Sequence, residues 1–246
     1  MLSEKEIIEL YKKYQNDFKC NLPGLELKQE FMFDRNGTIK DFNNKHTILI
    51  IDKDFNSGNK SRRYIESILY HEFTHIYDHA NLFTNKTDFQ EVTNLLFPYT
   101  EIHAIIVETK YTLGLIYNPK KEINLSSNLY SESGNIKLKE HLQDFYDNFS
   151  TMISEIDIWD DAAIINTVTT IAYYIGILVF LEEYDLDNPY PITFPEEWNI
   201  NGEFNQVKAL YQNNEITEDL CIKMNSLADE IANKIYYYYN DSPAVE

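Results

Sequence analysis

The segment Ser61-Arg-Arg-Tyr-Ile-Glu-Ser-Ile-Leu-Tyr-His71-Glu72-Phe73-Thr74-His75-Ile-Tyr-Asp-His-Ala80 carries the reading of this chain. Ile65, Ile68, Leu69, Phe73, Ile76, Tyr77 and Ala80 recur at helical spacing and cover so much of the helix that it must be largely buried. With ~3.6 residues per turn, His71 and His75 leave one face and their rings converge. Two neutral imidazoles so placed suit Zn²⁺, one ion per chain. Glu72 leans toward the same ion, where it can take a proton from water whose pKa zinc lowers to roughly 7. The plainer alternative is an amphipathic helix with two surface histidines. Buried histidines and a buried glutamate need partners, and a metal provides them at once.

The 246 residues allow one large domain or two small ones. A net charge of −19 disfavours nucleic acid and anionic membrane surfaces as partners, and favours a basic peptide or protein if it attracts anything. Cys20 and Cys221 belong to no metal-spaced pair, and nothing demands a disulfide between them. Met-Leu-Ser-Glu-Lys-Glu shows no signal-peptide pattern, so the cytoplasm is the expected location. A secreted form with its leader removed would read the same.

Upstream of the histidines, Ser3-Glu-Lys-Glu6 is a capping box that opens a helix over about residues 4–18. Leu25, Leu27, Phe31 and Phe33 alternate as in a half-buried strand. Asn36-Gly37 reads as a hairpin turn into a short strand over 38–42, and His46-Thr-Ile-Leu-Ile-Ile-Asp52 is the strongest strand. The expectation is a small antiparallel or mixed sheet, arranged as a meander, packed on the His71 helix. If 47–51 lies at the rim, its open backbone groups can pair with an extended peptide. If it lies in the centre, they cannot.

Thr87-Asp-Phe-Gln90 reads as a second capping box, for a helix ended by Pro98, and a further helix starts near Thr100. Residues 120–134, rich in Asn and Ser, read as a flexible loop. Beyond them the chain is helical. Ala162–Leu181 approaches the ~20 residues of a membrane span, but its Asn and Thr and the lack of basic flanks make it a core helix. The fold class is therefore α+β: residues 1–118 as the metal-binding half and 135–240 as a helical lobe, readable also as one continuous domain.

A catalytic zinc takes three protein ligands and leaves one position to water. Glu101, 26 residues past His75 on a separate helix and near the small Ala104, is the third-ligand candidate. A first-turn glutamate serving the helix dipole is its ordinary alternative. His103 leaves the helix ~200° around from Glu101. Glu108 shares the face of Glu101 and can orient a ligand histidine. Asp78 and His79 follow His75 by about one turn, and Glu91 is the weakest competitor. An oxyanion donor is sought among Tyr111, Tyr99 and His103.

His71-Glu-Phe-Thr-His75 followed by Glu101-Ile-His-Ala104 resembles the HExxH zincin metallopeptidases, within them the gluzincins. The resemblance covers roughly residues 25–112. It implies an active-site helix under a small twisted sheet, a glutamate third ligand, zinc as cofactor, and a peptide or protein as substrate. The Glu-x-x-Ala form is similar to gluzincins of bacterial toxins, secreted endopeptidases and phage-associated proteins. Ile105 stands where thermolysin-like members place an aspartate, and Asp78 and Asn81 stand where metzincins need glycine and histidine. The expected activity is peptide-bond hydrolysis with Glu72 as general base. The rival expectations are a zincin-like module that binds a peptide or protein around a structural metal, and a chance motif in an acidic helical protein.

Overall fold

The computed structural model describes residues 2–32, 37–43, 45–52, 60–82, 89–132, 134–156, 159–213 and 216–240. Among them it is α+β, with eight α-helices, a three-stranded mixed sheet and a two-stranded hairpin. The chain divides into two compact units. The first comprises Met1–Asn94 and His103–Leu138, the second Leu95–Ile102 and Lys139–Glu246.

In the first unit α1 (Glu4–Asp17) begins at the capping box read from sequence. Ser3 Oγ accepts from the Glu6 N–H, and the Glu6 carboxylate accepts from the Ser3 N–H at 2.8 Å. β1 (Gly24–Glu30), β2 (Gly37–Asn43) and β3 (His46–Asp52) follow, in the spatial order β1-β3-β2. β1 runs parallel to β3 and β2 antiparallel to it, with a bulge between Ile39 and Asp41.

This corrects the meander. β1 and β2 are not neighbours, so Asn36-Gly37 closes no hairpin between them; Asn36 itself is outside the described residues. The hairpin joins β2 to β3, where Asn43 faces His46. The cause is the composition of β3. Thr47, Leu49, Ile50 and Ile51 are all buried, and a strand apolar on both faces takes the centre, where both edges are paired. Residues 47–51 therefore offer no rim to a peptide, and the outer strands are β1 and β2. Phe31 falls beyond the end of β1 and is 67% exposed, against its expected inward place; Phe33 is outside the described residues.

α2 (Arg62–Leu82) packs into the same core. Ile65, Leu69, Tyr70, Phe73 and Ile76 meet Ile7, Tyr11 and Tyr14 of α1 and Leu49 and Ile51 of β3. From Leu69 to Ile76 only His75 escapes full burial, so the helix is enclosed nearly all round. α3 (Phe89–Leu96) and α4 (Tyr99–Thr112) come next; Thr87 and Asp88 of the expected second capping box are outside the described residues.

The stretch expected as a loop over 120–134 carries structure. β4 (Asn128–Ser131) and β5 (Gly134–Lys137) pair antiparallel, Leu129 against Ile136. Leu129, 2% exposed, is the apolar anchor that the surrounding Asn and Ser obscure in sequence.

The second unit holds α5 (Leu138–Glu155), α6 (Asp161–Glu183), α7 (Asn201–Asn213) and α8 (Glu218–Asn240). Phe149, Tyr174, Phe194, Trp198 and Phe204 interlock as its aromatic core. α6 has the length and apolarity of a membrane span, and 67% of its most apolar window is buried by protein. Neither Cys20 nor Cys221 forms a disulfide.

Candidate metal centre

α2 presents His71 and His75 side by side, ring centroids 4.9 Å apart and planes at 77°. Glu101 stands on the first turn of α4. Glu101 shares the helix α4 with His103 and Glu108. One ligand atom each from His71, His75 and Glu101 lies within 4.8 Å of the other two. Tetrahedral zinc at about 2.0–2.1 Å from its ligands separates them by about 3.3 Å, so small side-chain rotations close the group on an ion. Two imidazoles and a carboxylate form a donor set suited to Zn²⁺. Among the described residues the group has these three members; Asp78, His79, Glu91 and His103 stand outside it.

α4 lies antiparallel against α2 through three side-chain rungs. The Tyr111 hydroxyl donates to Glu66 Oε2 at 2.7 Å, His71 Nδ1 is 3.0 Å from Glu108 Oε2, and His103 Nδ1 is 2.8 Å from Asp78 Oδ1. Numbers rising along α2 meet numbers falling along α4, which defines the direction. A carboxylate only accepts, so Nδ1 carries the proton in both histidine pairs. In His71 the lone pair then sits on Nε2, the tautomer a metal ligand needs.

The remaining site residues fall as follows. Glu72, 8% exposed, lies against Gly37 at the start of β2, a contact that no local pattern in the sequence signals. His79 is buried, and its pKa is lowered to about 3 by burial and by the nearness of His75, so it stays neutral. The hydroxyl of Tyr111 is engaged by Glu66, and burial pushes its pKa well above the ordinary tyrosine value. Tyr111 is also ten residues from Glu101, about 15 Å along the helix, and so is not brought to the centre. Tyr99 stacks on Tyr211 at 5.4 Å.

His103 leaves α4 on the far side from Glu101 and still reaches α2, at Asp78, three residues beyond His75. Glu66 as the partner of Tyr111 was not legible in sequence either, because the two are 45 residues apart.

Comparison of the chain with protein-family models, curated proteins and solved structures gave no match in any of the three. The functional reading therefore stands on the geometry just described.

Proposed function

We propose that this chain is a zinc-dependent endopeptidase of the gluzincin type, with His71, His75 and Glu101 as ligands and Glu72 as general base. The observation that carries the reading is the convergence of those three donors within 4.8 Å beside a buried glutamate. A zinc ion bound there would supply Lewis acidity, making water a stronger acid and polarising a peptide carbonyl.

The chain's own groups do the rest. Glu72 takes the proton of the attacking water and hands it to the departing amine. Glu108 holds His71 in the tautomer that ligates. β2, an outer strand in contact with Glu72 through Gly37, offers main-chain hydrogen bonds along which an extended peptide can lie.

A structural zinc is closed by four protein donors. The group of three found among the described residues supports the open arrangement over the non-cutting peptide-binding module.

The test combines metal analysis with Glu72→Gln. Purified without added zinc, the protein is expected to carry about one equivalent and to cleave unfolded protein substrates, with loss of cleavage on chelation. Glu72→Gln keeps the metal and loses cleavage. Full cleavage by Glu72→Gln would refute the assignment, and absence of metal from both proteins would refute the centre itself.

A further inference from the structure

We propose that His103 and Asp78 are positioning residues, whose hydrogen bond fixes the rotation of α4 that presents Glu101 to His71 and His75. The inference rests on the metal-centre reading above and concerns how the third ligand is held in place.

Glu101 occupies the first turn of α4, the part of a helix whose N–H groups lack intrahelical partners and which opens most readily. A ligand there needs an anchor from outside its own turn. Each residue turns the helix by ~100°, so the side chains of residues 101 and 103 diverge by ~200°. Both nevertheless reach α2. The Glu101 carboxylate lies within 4.8 Å of the histidine donors, and His103 Nδ1 is 2.8 Å from Asp78 Oδ1. α4 thus meets α2 with one arm on each flank, and Ile102, fully buried, sits between them.

Rotation of α4 that withdraws Glu101 drives the His103 ring against Asp78. The opposite rotation pulls the ring away, and either one breaks the bond. Asp78 is 1% exposed, so no bulk water replaces the donor if His103 leaves. The ring is held from its side by Tyr77, centroids 6.0 Å apart at 68°. The rung between His71 and Glu108 is the middle one of the same contact but acts on a histidine ligand; the rung at His103 acts on the carboxylate.

The experiment uses the full chain, stripped of metal and titrated with Co²⁺ as probe. Affinity is read by competition with a chelator and ligand geometry from the visible d–d absorption. His103→Ala is expected to bind Co²⁺ about tenfold more weakly, with a reduced d–d band, as for removal of groups that orient metal ligands. His103→Asn, whose Nδ2 occupies the place of Nδ1 and donates to Asp78, should restore both. In a Glu101→Ala background, His103→Ala should add no further loss, since its effect runs through Glu101.

Equal Co²⁺ binding and an unchanged spectrum in His103→Ala would overturn the proposal. So would the same loss in both backgrounds, which marks a merely structural role. If His103→Ala does not fold, as judged by circular dichroism, His103→Phe keeps the ring volume without the donor and takes its place. Failure of the unaltered chain to bind Co²⁺ would instead overturn the metal centre, and this inference with it.

Discussion

Gly37 lies so close to Glu72 that a methyl group on residue 37 would stand 3.0 Å from Glu72 Cδ and 3.1 Å from Oε1. The missing side chain leaves room for the carboxylate proposed as general base. Gly37 faces Ile51 across the ladder, so the sheet hydrogen bonding that orders β3 also sets the wall beside Glu72.

Gly37→Ala is accordingly expected to push the Glu72 carboxylate aside. Zinc affinity should be unchanged, because neither residue is a proposed ligand, while kcat/KM falls by about 10-fold or less, since the carboxylate must give by only a few tenths of an ångström. Parallel zinc competition and cleavage assays check this; a loss of zinc binding equal to the loss of rate would place Gly37 in folding instead.

Glu108 holds the proton-bearing nitrogen of His71 at 3.0 Å. Glu108→Ala should weaken zinc binding by about 10-fold to 100-fold, as removing such partners does elsewhere. Chelator competition measures it, and an unchanged dissociation constant would show that His71 holds its tautomer without help.

Phe73 sits inside the HExxH segment yet belongs to the core. It is fully buried, with its ring edge-on to Tyr11 at 5.0 Å and to Tyr14 at 5.8 Å. Phe73→Ala should lower unfolding stability by about 3–5 kcal/mol, read from urea denaturation. Retention of wild-type stability would mean that the α1–α2 contact is not part of the cooperative core.

Glu6 supplies the pH-dependent case. Its pKa is lowered from 4.5 to about 2, first by the Ser3 N–H and hydroxyl of the capping box and then by the Arg62 guanidinium. The folded value is below the unfolded one, so the stabilisation is complete above about 4.5 and is lost as pH falls toward 2. The side chain is exposed and the contribution is small. NMR titration should place the Glu6 midpoint near 2, and Ser3→Ala, which removes the hydroxyl but keeps the N–H, should raise it only part of the way to 4.5. A midpoint near 4.5 in the unaltered chain would show that the capping box does not hold in solution.

Some of this molecule was legible because the relevant geometry is local. The Ser3–Glu6 box needs only residues three apart, and the convergence of His71 and His75 needs only the pitch of a helix. The enclosure of α2 could be read from its apolar residues, and the apolar run of β3 from its composition.

Contacts between distant segments were decided by packing. β3 took the centre of the sheet because burying both of its faces outweighs a sequential strand order, and that left β2 beside Glu72. The meeting of His103 with Asp78 could not be read from α4 alone, because a helix packed over another reaches it from both flanks. The Asn and Ser around Leu129 hid a hairpin that needs only one buried anchor. Periodicity gives the face a residue occupies on its own element. Which element meets that face depends on how the burial of all of them is satisfied together, and a local pattern carries no record of that.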